Sequence, residues 1–546
     1  MALVKAPVSD RATSGELSLR LRKNSASGVC RAVILTCVYF VTYPYMLHML
    51  GTERFGMWAL ALVVSQSLGT QDLGIAGALM RFIPEHWNNG GKSRIQELAS
   101  TATFLLAGIG ITLGIGVFLL RHWIVSLLKI PSPLQNEMSW LLVGMAVVFF
   151  LNLVGSGLTA ILVGIHRMDV SNVTYTAAAV IQAGGVFLAL SRRYGLLGLT
   201  VNAALMAFLW GSATWILLYR CLPGFRLRPS LVRRADAVSL LRYGLNIQAA
   251  GLGSFLTVPP IKVLLSRYVS LASVSSFELA SGIAMQLRSG FLMAAMPLIP
   301  ASAHLNSQEA TVHLGELYRQ SLRYIVLVAL PVFSLVALLA PGFTMFWLHR
   351  ETLYVASTLA LLLVGWFFNT LAVPAYFMLQ GQGFARYQMY FTALQATCAA
   401  LFGYLLVRTF EYYGAVTGLA IGLSFAAAYL LWQYRRLCRD SRGSLFNGSL
   451  LKAVAINAVL VSPFLLRPEL RQTHRFWGLL LLTAGYLVIY LALVIAFGCL
   501  SESERRELAL IWPQNILRRL RTGIVISRTS QVEQNGGIPL TKWEER

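Results

Sequence analysis

Charged residues are scarce in this sequence. They make up 12% of its 546 residues, whereas hydrophobic residues make up 56%, and the mean hydropathy is +0.64. An ordinary soluble domain of this length does not have such a composition. We therefore predict an all-α polytopic membrane protein, because helices of about 20 apolar residues satisfy their own backbone hydrogen bonds across a hydrocarbon core about 30 Å thick.

Motifs for chemistry are also absent. The sequence has no DxD, no HExxH, no GxSxG and no Gly-rich P-loop. Its six cysteines form no CxxC pair and lie in or beside apolar runs, so neither a disulfide framework nor a zinc site is indicated. These absences disfavour an enzyme, including a membrane polymerase or ligase of glycans, and we expect no resident cofactor.

Acidic residues are fewer than basic ones, 22 against 45, which gives a formal net charge of +23. Most basic residues lie in alternate segments between spans, on the side of the N-terminus, as the positive-inside rule requires. This placement predicts two cytoplasmic termini and anionic lipids as partners, and it excludes nucleic acid. We count only Arg31 and Arg288 inside spans, and we assign Lys262 and Arg267 to the outer interface.

Apolar runs give roughly fourteen spans. The thirteenth, residues 449–466, is the weakest because Lys452 and Pro463 narrow its apolar run, and a re-entrant segment is the alternative.

A weak internal sequence repeat suggests two six-helix halves in a parallel arrangement. Arg167 precedes Tyr194, and Arg386 precedes Tyr413, by the same 27 residues within similar Gly-containing motifs. We expect the following organisation: 1–27, a cytoplasmic basic N-terminus; 28–219, the first six-helix bundle; 220–242, a basic cytoplasmic linker; 243–434, the second six-helix bundle; 435–499, two extra helices; 500–546, a cytoplasmic tail.

The stretch LGTERFGMW at residues 50–58 and the following DLG at 72–74 match an LG-x-E-x-(Y/F)-G-x-W element with its trailing DLG. Together with LLRYGLNIQAAGLGSF at 240–255 and the fourteen-helix pattern, they resemble the polysaccharide flippases. These form the Wzx-type branch of the MOP superfamily, which also contains the MATE exporters and the lipid II flippase. The long basic C-terminal tail departs from that family and leaves contacts with polysaccharide assembly proteins open.

The resemblance implies an alternating-access cavity between two helix bundles. It also implies that the cargo is a lipid-diphosphate-linked oligosaccharide. We interpret the chain as a bacterial inner-membrane flippase that moves the undecaprenyl-linked form to the outer leaflet for surface or exopolysaccharide biosynthesis. A MATE-like multidrug exporter is the main alternative, and a membrane glycan polymerase or ligase is a more distant one.

Polar residues recur along the first span. Arg31, Leu35, Tyr39 and Tyr43 follow each other at every fourth position, which predicts one helix face. Such a face would form a cavity wall, with a guanidinium for phosphate oxygens and phenols for sugar hydroxyls. Alternatively, Arg31 snorkels to the inner interface and the tyrosines belong to an aromatic belt.

Asp72 lies deep in the second apolar run. On a continuous helix it shares an arc of about 40° with Trp58, Ser65 and Gly69, whereas Arg81 points to the opposite side as an interface anchor. A carboxylate at membrane depth normally faces protein or water. Asp72 therefore contacts either a cavity or a neighbouring helix.

The second half supplies three further candidates. Asn246 lies on a helix face with Gly253, and Glu278 and Arg288 lie within an arc of about 80°, so an acid and a base share one wall. Either a wet cavity or a structural ion pair with neighbouring helices explains them. A coupling proton or sodium ion at Asp72 or Glu278 is left open. The candidate substrate-binding residues are Arg31, Tyr39, Tyr43, Asp72, Asn246, Glu278 and Arg288.

Overall fold

The computed structural model describes residues 14–69, 72–87, 91–165, 167–222, 224–304, 310–349, 354–437, 448–473 and 475–499. Within these ranges the chain forms seventeen α-helices and no strand. The predicted all-α class is confirmed. Of the two predicted terminal segments, residues 1–13 and the whole of 500–546 lie outside the described residues.

Six helices form the group here called the first bundle: α1 (Ser14–Gly69), α2 (Ile75–Trp87), α3 (Lys92–Leu127), α4 (Gln135–Gly164), α5 (Met168–Ser191) and α6 (Gly195–Cys221). Residues 222–233, here called the linker, lead to the second bundle: α7 (Arg234–Phe255), α8 (Pro259–Tyr268), α9 (Leu271–Ala295), α10 (Leu298–His304), α11 (Ala310–Leu348), α12 (Val355–Leu371), α13 (Val373–Gly381) and α14 (Ala385–Leu437). Three helices follow: α15 (Gly448–Leu466), α16 (Pro468–Arg471) and α17 (Phe476–Ala496).

Packing defines the two bundles. In the first, α4 packs against α1, α2, α3 and α6, while α5 lies between α1 and α6. In the second, α12 packs against α9, α11 and α14, and α14 also covers α7 and α8. The bundles meet where α1 crosses α9 and where α2 crosses α7, and α15 and α17 pack on α11. Smaller contacts between the bundles join α3 to α7 and α1 to α8 and α11.

Three backbone irregularities divide the longest helical stretches. Gly51, with φ of 76°, kinks α1, and Glu411, with φ of 46°, kinks α14. Between α1 and α2 the chain turns through Leu73 and Gly74, whose φ values of 53° and 71° are also left-handed. A left-handed residue ends regular α-helix geometry, so each position marks a change of helix direction.

Ten helices in the described residues are long and apolar enough to cross a membrane. This number is smaller than the fourteen predicted spans for two reasons. Each of α1 and α14 contains two spans joined through a kink, and α7 and α9 carry more polar residues. The multi-pass membrane fold is confirmed.

The weakest predicted span is a continuous helix. α15 has 19 residues, which gives a length of about 28 Å and is enough to cross the hydrocarbon core. Asn457 of α15 donates to Ser334 of α11 at 3.0 Å and accepts from Tyr486 of α17 at 2.7 Å. These bonds attach the two C-terminal spans to the second bundle.

Two close backbone contacts join the bundles at different depths. Near the linker end, Gly74 lies against the carbonyl of Gly244, and a Cβ on either glycine would overlap the facing backbone. At the opposite end, Gly56 of α1 lies against the carbonyl of Leu271 at the start of α9, where a Cβ would also overlap. The bundles are therefore in contact at both ends.

Candidate functional site

A cavity of about 520 Å³ lies within the second bundle. Its walls come from the α7–α8 junction and from α9, α12, α13 and α14, and Val63 of α1 adds a contribution from the first bundle. Most of the lining is apolar or aromatic. The charged side chains that line it, among the described residues, are Lys262 and Arg288. The cavity therefore presents positive charge to any occupant.

Arg288 is held in this cavity by neutral partners. Its Nε donates to Oδ1 of Asn369 at 3.1 Å, and its guanidinium carbon lies 4.6 Å from the ring centre of Trp366. Tyr376 lies near the same guanidinium. Hydrogen bonding through Nε leaves the two terminal nitrogens of the guanidinium as the fork that suits phosphate oxygens.

A chain of buried polar groups fixes Asn369 in turn. Asn369 is 1% exposed, and its Nδ2 donates to Oε1 of Gln395 at 2.9 Å. Nε2 of Gln395 donates to Oγ1 of Thr257 at 3.0 Å, and Thr257 donates to the carbonyl of Gly253 at 3.0 Å. Each amide is used as donor and acceptor, so the orientation of each group determines that of the next. The chain links α9, α12 and α14 to the α7–α8 junction.

Lys262 is buried. It is 6% exposed, lines the cavity and forms an ion pair with Glu278 of α9. The assignment of Lys262 to the outer interface is wrong, because α8 begins at Pro259 inside the bundle and directs this residue toward α9. Glu278 and Arg288 are ten residues apart, about 15 Å along α9, so the acid does not pair with the arginine.

Arg31 contacts the first bundle. Its Nη1 donates to Oδ1 of Asn172 at 3.1 Å, and its guanidinium carbon lies 4.1 Å from the ring centre of Tyr175, both on α5. The cavity in the second bundle is not lined by Arg31. In this structure Arg31 therefore helps to pack α1 against α5.

Tyr39 and Tyr43 face the second bundle instead. The hydroxyl of Tyr39 donates to the carbonyl of Leu279 on α9 at 3.1 Å, and the ring of Tyr39 packs on those of Tyr43 and Trp347. The predicted single face with Arg31 is wrong, because side chains four residues apart on an α-helix differ in direction by about 40° around the helix axis. Over the twelve residues from Arg31 to Tyr43 the drift reaches about 120°.

Asp72 stands in the turn between α1 and α2. Its Oδ1 accepts from the N–H of Gly74 at 2.8 Å, just before α2 begins at Ile75. The helix ends at Gly69, so the predicted continuous face with Trp58 and Ser65 is wrong. A carboxylate before a helix N-terminus satisfies free N–H groups and complements the helix dipole. The structure gives Asp72 this capping role.

Two further predicted residues have different outcomes. Arg81 lies with its guanidinium carbon 4.4 Å from the ring centre of Tyr243 on α7. It therefore contacts the second bundle from α2, the helix that Asp72 caps. Asn246 belongs to α7, but its side chain is outside those that the structure describes.

A charged cluster joins the bundles at the linker end. Arg94 of α3 binds Asp236 of α7 with two hydrogen bonds of 2.8 and 2.5 Å and binds Glu97 at 2.9 Å. Arg233 binds the other oxygen of Glu97 at 2.6 Å. Two cations and two anions thus form one neutral network between α3, the linker and α7.

The linker itself lies along α3. Side chains of α3 hold its backbone at three points: Gln96 donates to the carbonyl of Arg226, and Ser100 and Thr101 accept from the N–H groups of residues 228 and 233. These distances are 2.7, 3.3 and 3.2 Å. The linker is therefore attached to the first bundle.

Asn369 and Gln395 were missed by sequence reasoning, and Lys262 was assigned to the outer interface instead of the cavity. A signal existed for the first two, because each is a lone amide inside a long apolar run. Such a group needs a hydrogen-bonding partner within the membrane. The pairings of Asn369 with Gln395 and with Arg288 could not be inferred, because they depend on how α9, α12 and α14 pack.

Comparisons with known proteins agree on the class. A family model described as polysaccharide biosynthesis protein matches residues 21–306, more than half of the chain. A proposed O-antigen transporter of Shigella flexneri is 23% identical over 440 residues, which cover 76% of this chain and 98% of that protein.

Solved structures of MOP-type transporters share the fold. The lipid II flippase MurJ in an inward closed conformation matches with a TM-score of 0.65 and 13% identity, covering 89% of this chain and 99% of that one. An inward-facing multidrug resistance MATE transporter of the MOP superfamily matches with a TM-score of 0.63 and 16% identity. That match covers 76% of this chain and 100% of the transporter. At these identities the similarity concerns the fold.

Proposed function

This chain belongs to the family of polysaccharide biosynthesis proteins, and on that basis we propose that it is a flippase for a lipid-diphosphate-linked oligosaccharide. The cargo is an undecaprenyl-type lipid whose sugar head group passes from the inner to the outer leaflet of the bacterial inner membrane. The observation that carries the proposal is the cavity whose charged lining residues, in the described part of the chain, are Lys262 and Arg288.

The electrostatics of the cavity suit a diphosphate. An unpaired anion in an apolar passage would bear a large desolvation cost, which fixed positive groups offset. The guanidinium fork of Arg288 provides directional hydrogen bonds, and the ammonium of Lys262 provides a flexible point charge. Aromatic rings such as Trp366 and Tyr376 supply flat surfaces for the rest of the cargo.

Membrane voltage contributes to the direction of transport. Moving negative charge outward from a negative interior releases about 2.3 kcal/mol per elementary charge per 100 mV. Two contact zones between the bundles, at Gly56 and at Gly74, provide the two closures that alternating access requires. We assign transport rather than an enzymatic reaction to this chain, and we propose no resident cofactor; a coupling proton or sodium ion remains part of the hypothesis.

Orientation and partners follow from the charge pattern. We propose that the linker end faces the cytoplasm, with both termini on that side, and that anionic lipids contact its basic groups. The predicted tail, residues 500–546, is proposed to contact polysaccharide assembly proteins. The boundaries 28–219 and 243–434 remain our proposal for the two halves.

A multidrug exporter of the MATE type is the rival function, because such a transporter shares the fold. An exporter of cationic drugs needs carboxylates that attract a cation, and the lining of this cavity, in the described residues, contains none. The two cavity-lining cations would instead repel such a drug. The cavity therefore favours an anionic cargo.

The proposal is tested with the full-length protein in liposomes. A fluorescent polyprenyl-diphosphate oligosaccharide is placed in both leaflets, and an impermeant glycosidase then removes the sugar from the outer leaflet alone. Proteoliposomes should expose the protected inner half of the cargo over time, whereas protein-free liposomes should not. Equal protection with and without protein, together with export of a cationic dye, would replace the flippase with the drug exporter.

A further inference from the structure

The buried ion pair between Lys262 and Glu278 lies where cargo charge must enter. Lys262 lines the cavity, while Glu278 stands behind it and is not part of the lining. The side chains are 7% and 12% exposed, so water screens the pair weakly. An anion in the cavity therefore competes with Glu278 for the ammonium of Lys262.

The charges of the site do not balance when cargo binds. With Lys262, Arg288 and Glu278 ionised, the empty site carries one net positive charge. A diphosphate diester carries two negative charges, so the loaded site would have one net negative charge. Uncompensated charge is disfavoured inside a protein, and a carboxylate that loses its counter-ion there takes up a proton instead.

Few other groups could compensate Glu278. Tyr39 and Tyr43 of α1 face it, but phenols are neutral near pH 7. α12 carries no titratable side chain, and α13 carries only the phenol of Tyr376. In α11, the titratable residues all lie in the part up to Tyr324, and the rest of the helix carries none. On its own helix, Arg288 lies about 15 Å away. Lys262 is thus the cation that determines whether Glu278 stays ionised.

We propose that cargo binding transfers Lys262 from Glu278 to the diphosphate and that Glu278 then takes up one proton from solvent. An O–H bond forms on the Glu278 carboxylate, the solvent or buffer loses that proton, and no other covalent bond changes. The loaded site is then neutral, whereas the empty site carries one positive charge. The inference rests on the proposed function and adds a proton that binds together with the cargo.

Binding calorimetry tests the proposal on the full-length protein in nanodiscs. The probe is a short-chain prenyl-diphosphate-linked N-acetylglucosamine, whose phosphates do not titrate near pH 7. Titrations in buffers of different ionisation enthalpy give the number of protons taken up. The wild type should take up about one proton per bound probe, and its dissociation constant should rise up to tenfold per pH unit in that range, as linkage requires.

Three variants separate the possible causes. Glu278→Gln should bind the probe with no proton uptake and no pH dependence. The double variant Lys262→Met with Glu278→Gln keeps the site free of an unpaired charge; it should bind more weakly and also without uptake. Glu137→Gln removes the acid of the exposed pair with Arg54, and it should behave as the wild type.

The two hypotheses fail in different ways. Tight binding by the wild type without proton uptake, or unchanged uptake by Glu278→Gln, would overturn the proton proposal and leave the flippase intact. No binding of the probe by the wild type, at any pH, would overturn the proposed cargo and the proton proposal together.

Discussion

Arg94 donates two hydrogen bonds from its guanidinium to the carboxylate of Asp236 and thereby joins the start of α3 to the start of α7. Asp236 is buried, whereas the side chain of Arg94 is 35% exposed. The same guanidinium binds Glu97, which also binds Arg233. This network is an ionic closure between the bundles at the end that we assign to the cytoplasm.

Loss of this closure should open the cytoplasmic end. Asp236→Asn removes one charge of a partly exposed pair, and we expect a cost of about 1 to 2 kcal/mol, near a tenfold shift toward the inward-open state. A cysteine at Met285, which lines the cavity, should then react faster with a reagent added from the cytoplasmic side of inverted vesicles. The control is Glu137→Gln, and an unchanged rate in Asp236→Asn would refute the closure.

Glycine contacts should control both ends separately. Gly56→Val places side-chain atoms against the carbonyl of Leu271, and Gly244→Val places them against the backbone of Leu73 and Gly74. We expect the first change to favour the outward-open state and the second to favour the inward-open state. Accessibility of a cysteine at Met285 from each side of the membrane reports the difference.

The matched control for these two variants is Gly108→Val. Gly108 also lies within a membrane helix, but no atom stands within 4 Å of a Cβ placed there. This variant should label as the wild type does. The same shift in all three variants would mean that valine acts through helix propensity rather than through contact between the bundles.

For transport, the sign of the charge at position 288 should matter more than the shape of the side chain that carries it. Arg288→Glu replaces a cavity cation with an anion, and we expect export to fall by more than about tenfold at matched protein levels. Arg288→Lys keeps the charge but loses the fork and the Nε bond to Asn369, so it should retain part of the activity. Restoration of polysaccharide export in a flippase-null strain measures both.

Arg31→Glu supplies a contrast. Arg31 packs on Asn172 and Tyr175 of α5, so its reversal should lower the amount of folded protein as well as export. Normal export by both Arg288→Glu and Arg31→Glu would show that neither arginine neutralises the cargo.

The amide chain behind Arg288 should affect cargo binding more than stability alone explains. Asn369→Leu leaves the buried Gln395 amide without one partner, at a cost of about 1 to 3 kcal/mol, and frees the guanidinium to turn. Asn457→Leu removes another buried asparagine with two hydrogen bonds, between α11, α15 and α17. Both should lower the melting temperature, but only Asn369→Leu should weaken binding of the prenyl-diphosphate probe; equal weakening would assign the amide chain a purely structural role.

Labelling of engineered cysteines tests the topology. In a variant without native cysteines, Ser132→Cys and Glu469→Cys should react with an impermeant reagent added to intact cells. Ser230→Cys, in the linker, should react only after the membrane is opened. All three positions are exposed in the structure. Reaction at residue 230 in intact cells would reverse the orientation, and protection at residue 469 alone would indicate that α15 does not cross.

Sequence reasoning predicted the helical membrane fold because the length and apolarity of a run determine whether it can cross a bilayer. It was less successful within helices. The face assigned to Asp72 required a continuous helix, and the sequence alone did not show that Gly74 allows a left-handed turn there. A helical wheel assumes regular geometry, and it fails where a span is broken.

The sequence also did not show which side chains pair across neighbouring helices. Glu278 and Arg288 were both identified, but the sequence placed them on one wall. In the structure Glu278 forms an ion pair with Lys262, and Arg288 donates a hydrogen bond to Asn369. Positions on one helix follow from its period, but the facing residues follow from packing angles and from breaks such as the one before α8. Charge placement near spans therefore identified candidates without their partners.

The attachment of the linker to α3 affects where the molecule bends. A segment whose backbone is fastened at three points is not a loose tether, and the salt bridge at Asp236 extends the attachment into the first turn of α7. While that attachment holds, the base of α7 is mechanically part of the first bundle, although the chain has already entered the second. When the bundles rock against each other, the bend then lies further along α7, toward the α7–α8 junction beside the cavity. The same helix therefore transmits the motion at its start and lines the cavity at its end.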